Sequence, residues 1–191
     1  LSKIDYENQN LSDETMGVII PKKTINELSK LLSESTGQIE INLTSTKIIF
    51  YINNSVLLSK LIDGNFPDYK RVIPLENNNI LKEKRINFVE AVDRVSTINI
   101  DKLPVVKFKL LNNLMNISTS NNDNNTATED IETDYSGDEI EIGFNSKYIM
   151  DIVNNLEDEI ISINFKDSSS PIIAQEKSNP NLVYVLMPMR V

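Results

Sequence analysis

The feature that most constrains this chain is the way the spacing of its apolar residues switches between two periods. Ile39, Ile41 and Leu43 alternate with Glu40, Asn42 and Thr44, and Val106, Phe108 and Leu110 alternate with Lys107 and Lys109. Ile140 and Ile142 alternate with Glu139, Glu141 and Gly143, and Ile161, Ile163 and Phe165 with Ser162 and Asn164. A period of two sends successive side chains to opposite faces of a strand. One apolar and one polar face predict half-buried strands in antiparallel sheet. Elsewhere the spacing becomes helical. Thr24–Ser33 aligns Ile25, Leu28, Leu31 and Leu32, and Asn87–Ile98 turns Phe88, Val92 and Val95 inward and Glu90, Asp93 and Arg94 outward. A third helix is predicted to open at Asn145, a good N-cap, with Tyr148, Ile149, Ile152, Val153 and Leu156 on one face.

The order of these elements repeats. A strand (Met16–Pro21), a helix and several strands come first, then a helix with strands, then a strand–helix–strands unit from Glu139 to Met189. The fold class is therefore α+β, built from repeated strand-helix-strand-strand-strand units. One unit alone would leave a sheet face bare, so at least two must pack together with helices on one face of each sheet. Asp63-Gly64, Ser136-Gly137-Asp138 and Asn179-Pro180 supply turns. Asp68–Lys84, with Pro74 and three consecutive asparagines, is the expected boundary between domains. The Asn/Thr/Ser-rich tract Asn112–Glu129 is read as a strand around Met115–Thr119 followed by a flexible hairpin tip.

Composition removes whole classes of chemistry. Among 191 residues there is no Cys, no His and no Trp. That excludes a disulfide framework, a Cys nucleophile, thiolate metal sites and imidazole acid–base catalysis. Five glycines and no Gly-rich phosphate loop leave little scope for a nucleotide cradle. Carboxylates cluster at Glu129, Asp130, Glu132 and Asp134 and at Asp138, Glu139 and Glu141, but on alternating strands they read as solvated or edge-protecting faces. Ser168-Ser169-Ser170-Pro171 reads as a turn, since no base accompanies it. No catalytic residue, metal site or cofactor is expected. A net charge of −9 argues against the basic footprint of a tight nucleic-acid binder. No stretch has the roughly 20 apolar residues of a membrane span, and the start lacks signal-peptide form. The chain begins at Leu1, so a fragment of a longer protein is the expectation.

Two stretches stand apart. Leu61–Pro74 combines a turn, two aromatics, prolines and a basic pair, and Val183–Val191 is an apolar strand ending in Met-Pro-Met-Arg. Methionines at a chain end suit either core filling or an adaptable binding surface.

At these places the sequence resembles the bacterial DNA polymerase III β subunits, the replicative sliding clamps. KLIDGNFPDYKRVIP (Lys60–Pro74) and YVLMPMRV (Tyr184–Val191) are close to hallmark segments of that family. YSGDEIEIGFNSKYIMDIV (Tyr135–Val153), AVDRVSTI (Ala91–Ile98) and VIIPKKTINEL (Val18–Leu28) match in the same order. The resemblance implies a DNA clamp fold, with antiparallel sheets outside and helices on the inner face. Residues 1–73 would be the second half of the middle domain and 74–191 the C-terminal domain. It also implies a non-catalytic processivity factor that encircles double-stranded DNA as a head-to-tail homodimer, in the cytoplasm at the nucleoid. The polymerase α subunit, the clamp loader and repair polymerases would dock linear peptides in one groove. Carried over by motif, Pro67, Arg71, Val72, Val185 and Met187 would line the deeper part, and Asn145, Tyr148, Pro188, Met189 and Arg190 its neighbour. Lys22 and Lys23 would face DNA phosphates, or else sit as a solvated helix start. Thr97 and Ile98 would meet the partner in the ring, opposite an acidic strand thinned at Asn124, Asn125, Thr126 and Thr128. Without an N-terminal domain this length of chain is expected not to close a ring. The competing expectation is a small α+β protein-interaction module with no DNA-encircling role.

Overall fold

A computed structural model describes residues 1–6, 17–99, 104–121 and 125–190. The chain opens with β1 (Ser2–Ile4), followed by α1 (Lys22–Ser33), β2 (Ile39–Leu43), β3 (Lys47–Ile52) and β4 (Ser55–Lys60). After a single 3-10 turn at Tyr69–Arg71 come β5 (Asn79–Lys84), α2 (Arg85–Ser96), β6 (Val105–Leu111), β7 (Leu114–Ser120), β8 (Thr126–Glu132) and β9 (Asp134–Tyr135). Then follow β10 (Ile140–Asn145), α3 (Ser146–Asn154), β11 (Ile160–Phe165), β12 (Ile172–Gln175) and β13 (Leu182–Leu186). No helix among the described residues is long and apolar enough to cross a membrane.

The chain divides into two compact units. One joins the N-terminal strand β1 to everything from Asp68 onward, and the other ends at Pro67. All strand pairings are antiparallel, as the alternation requires.

The larger unit holds two sheets, ordered β1-β13-β12-β11-β5-β9 and β10-β6-β7-β8. The residues predicted to point inward do so. Phe88 and Val92 of α2, Val106, Phe108 and Leu110 of β6, and Ile161 and Phe165 of β11 are fully enclosed. Phe108 anchors the cluster, edge-on to Phe88 at 5.6 Å and tilted against Phe144 at 5.7 Å between ring centroids. The other face of β6 and β10 is wet, and there Lys107 pairs with Glu141 and Lys109 with Glu139, each at 3.0 Å. The segment expected to serve as a boundary, Asp68–Lys84, ends in β5, which lies between β11 and β9 with Leu81 and Glu83 buried. Thr126–Glu129, by contrast, is not a hairpin tip. It forms the first part of β8, paired with β7 residue for residue from Leu114↔Glu132 to Ser120↔Thr126. Asn124, also placed in that tract, lies outside the described residues.

The smaller unit is one helix on one three-stranded sheet, β2-β3-β4. Ile48, Phe50 and Ile52 are buried, with Leu28, Leu31 and Leu32 of α1 packed on them. Ile25, expected on that stripe, is 43% exposed, and Thr24 takes the buried place with its hydroxyl 2.7 Å from that of Ser59. The strand predicted before α1 is absent from the described residues 17–21. Backbone bonds from the Ile62 N–H to the Ile19 carbonyl at 2.9 Å and from the Ile25 N–H to the Pro21 carbonyl at 3.2 Å tie that segment down. Pro21 has no N–H with which to extend a ladder. The hairpin turns β3–β4 and β6–β7 each carry an asparagine in the left-handed region, Asn53 at φ 50° and Asn113 at φ 56°. Asparagine tolerates that conformation better than other residues with a Cβ, which is how this Gly-poor chain makes tight turns.

Candidate functional site

Two features place the C-terminal strand beside α3. β13 pairs on one side with β12 and on the other with β1, where the Leu1 amine donates to the Val185 carbonyl at 2.9 Å and the Val185 N–H to the Leu1 carbonyl at 2.8 Å. Past β13 the tail turns onto β10. The Met189 N–H donates to the Gly143 carbonyl at 2.8 Å, two residues before the helix cap. Asn145 is that cap, its side-chain oxygen accepting the Lys147 N–H at 3.0 Å.

Between these pinned segments lies an apolar cleft of about 460 Å³. Val185 forms part of its wall and is 3% exposed, with Ile152 beside it. Val72, Tyr148 and Met187 stand at its mouth, at 41%, 57% and 56% exposure. Leu1, Tyr184 and Leu186 complete the apolar lining, and Ser2, Asp151 and Asn155 add polar edges. Burial, and secondarily the negative charge of Glu176, push the Tyr184 hydroxyl above its ordinary pKa, so it stays a neutral donor. On the far side of Met187 a second depression of about 590 Å³ is lined by Pro188, Met189 and Arg190 together with Glu141, Ser168 and Ser169. Met187 thus separates two adjoining hollows.

Of the residues singled out in the sequence, Val72, Tyr148, Val185 and Met187 meet in the first hollow, and Met187, Pro188, Met189 and Arg190 in the second. Arg71 lines neither; its guanidinium reaches Asp68 at 3.1 Å. Asn145 is buried, with its oxygen used by the helix cap. Pro67 is exposed at the end of the smaller unit. Sequence reasoning missed Ile152, one turn beyond Tyr148 on α3, and Asn155, the C-cap of that helix a further turn on. It also missed Leu1, which the register of β1 on β13 brings in. A helical count forward from Tyr148 would have found the first two.

Elsewhere, Lys22 and Lys23 are exposed in the first turn of α1, which has neither a side-chain cap nor an acidic residue there. At the other end of α2, Thr97 is the exposed C-cap, its hydroxyl donating to the Asp93 carbonyl at 3.0 Å, and Ile98 is half-buried. Asn99 and Thr119 fasten this corner to β7 at 3.0 Å. One helical turn back, Arg94 forks onto Glu129 of β8 at 2.6 and 3.0 Å. These bonds hold the Glu129 carboxyl below its usual range and the guanidinium above its own. Among the described residues no group of three or more acidic side chains could hold a metal ion.

Comparison with known proteins agrees with this arrangement over the whole chain. The family model for the DNA polymerase III beta subunit, C-terminal domain, matches residues 70–190, and that for the central domain matches residues 1–68. A beta sliding clamp of Caulobacter vibrioides is 37% identical over 175 residues, covering 92% of this chain and 47% of its own length. That of Pseudomonas aeruginosa is 32% identical over 191 residues, covering 100% of this chain and 52% of its own. The crystal structure of the Bartonella birtlesii sliding clamp bound to griselimycin superposes with a TM-score of 0.96 at 40% identity, covering all of this chain and 51% of that one. The chain therefore spans about half the length of the relatives it matches. Its sequence and its fold agree: the chain belongs to the DNA polymerase III beta subunit family, the bacterial beta sliding clamps.

Proposed function

We propose that this chain is the peptide-docking half of a DNA sliding clamp, a processivity factor without catalytic chemistry of its own. The observation that carries this reading is the apolar cleft walled by Val185 and Ile152 and continued past Met187 to Arg190. An apolar hollow with exposed apolar side chains at its mouth and a polar rim suits capture of a short peptide. The polymerase α subunit, the clamp loader and repair polymerases would supply such peptides.

The remaining features fit the same role. Lysines at a helix start oppose the helix dipole, and Lys22 and Lys23 have no ion-pair partner among the described residues. That local cost is offset if the positive turn faces duplex phosphates. In a closed head-to-tail dimer DNA is held by topology, so an overall charge of −9 is no obstacle. The corner at Thr97 and Ile98, braced by the Arg94–Glu129 fork, would meet the neighbouring subunit. The working place of such a ring is the cytoplasm, on the nucleoid. The test is a titration with a labelled clamp-binding peptide. Met187→Ala and Arg190→Ala should each weaken binding by about fivefold or more, the usual scale for truncating a groove anchor. Unchanged affinity in both variants would remove the groove from this site.

A further inference from the structure

The cleft has an electrostatic asymmetry. Its walls are apolar, and Asp151 on α3 is the one ionised side chain on its lining. Asp151 is exposed, and among the described residues no lysine or arginine pairs with its carboxylate. Lys147, one helical turn earlier on α3, is exposed and makes no ion pair with Asp151 among the described residues. Arg71 is held by Asp68 at 3.1 Å, and the Leu1 amine donates to the Val185 carbonyl at 2.9 Å. Glu176, 6% exposed, adds a second negative charge close enough to be felt by Tyr184 in the wall. Glu176 itself accepts the N–H groups of Glu157 and Asp158 at 2.5 and 3.1 Å, beside the C-terminal end of α3. The rim of the cleft therefore carries an exposed carboxylate beside apolar surface, with no ion-pair partner among the described residues.

We infer that Asp151 is a specificity determinant of the cleft: it selects peptides that place a lysine or arginine next to their apolar anchor. This rests on the peptide-docking reading proposed above. A carboxylate at the rim of an apolar pocket does little for the anchor itself, but it discriminates among flanking residues by attraction or repulsion. An acidic flank would meet the Asp151 carboxylate with like charge, while a basic flank would gain an exposed, salt-sensitive partner.

The experiment uses three short labelled peptides with the same pair of large apolar residues, flanked on both sides by lysine, glutamine or glutamate. Each is titrated by fluorescence anisotropy against this chain, Asp151→Asn and Met187→Ser, at low and high salt. The lysine peptide should bind about two- to fivefold more tightly than the glutamine peptide, the range of an exposed ion pair. The glutamate peptide should bind most weakly. Both differences should collapse in Asp151→Asn and shrink at high salt, while Met187→Ser should weaken all three peptides alike. Three equal affinities, all lost in Met187→Ser, would overturn the role of Asp151 and leave the docking site standing. Lack of saturable binding by any peptide would overturn the docking site and this inference together.

Discussion

The two compact units are built from the same device, a helix laid on antiparallel strands, but in different number. The larger has α2 and α3 over two sheets, and its core includes 23 buried apolar residues among those described. The smaller has α1 over one sheet, and its cluster includes three. The consequence is visible on β2. Ile39 and Ile41 are paired with Ile52 and Phe50, so they share the face that α1 packs against, yet they are 36% and 56% exposed. A single helix covers β3 and leaves the neighbouring strand open. In the larger unit the equivalent positions on β6, Val106 and Phe108, are at 0%. Two copies of the repeat close on each other, and one copy cannot.

The sharpest way to break that comparison is to remove the same kind of side chain from both units. Phe108→Ala empties a site bounded by Phe88 and Phe144 and should cost about 3–5 kcal/mol in denaturant unfolding of the larger unit. Ile41→Ala, at a strand position of the same periodic class, should cost no more than about 0.5 kcal/mol because water already reaches it. Comparable losses would mean that Ile41 is covered in solution. A smaller effect separates the helix starts. Asn145→Ala removes a cap from α3 and should cost about 1 kcal/mol. Lys22→Glu should do the reverse, stabilising the uncapped α1 by about 0.3–1 kcal/mol, as an acid in place of a base suits the helix dipole. On the DNA-facing reading proposed above, the same change in a closed ring should also weaken retention on duplex DNA at low salt. A Lys22→Glu variant that gains no stability would remove the argument that this turn is kept basic at a local cost.

How much of this was legible in the sequence follows the same division. Alternation located Phe108, Ile142 and Ile163 correctly, because it states which face of a strand is apolar and two repeats were present to cover that face. The same alternation could not state that Ile41 stays open, since coverage depends on what packs opposite and not on period. Helical spacing placed α1 but misassigned its inner edge. Ile25 fits the stripe by count, whereas Thr24 takes the buried place with its hydroxyl against that of half-buried Ser59. The turns at Asn53 and Asn113 escaped because the search for punctuation favoured glycine and proline. In the candidate site, Val72, Tyr148, Val185 and Met187 were reached through resemblance rather than pattern. Leu1 could not be reached at all without the β1–β13 register, a contact between residues 184 positions apart.

The smallest effect expected is acid sensitivity, and it too should divide unequally. Asp167 accepts the N–H groups of Ser169 and Ser170 at 2.8 and 2.7 Å and both their hydroxyls, which lowers its carboxyl to about 2. Asp158 is likewise lowered, by bonds from Ser178 and Lys177. Both groups belong to the larger unit. In the smaller unit Glu27 bonds only to Lys30 and Glu40 only to Asn42, with no backbone N–H in either contact among the described residues. A carboxyl whose folded pKa lies below its unfolded value contributes stability fully above that unfolded value. The contribution is lost as pH falls through the folded one. For Asp167 the window runs from the ordinary 3.8 down to about 2. Urea midpoints read by amide signals of β11 and β12 should therefore fall across that window, while those of β3 should change less. Asp167→Asn should lower the larger unit's midpoint at neutral pH and flatten its acid limb, since the turn then has no charge left to lose. An acid limb of unchanged slope in that variant would move the proton uptake to other carboxylates, with Asp158 and its hold on the β12–β13 turn the next to substitute.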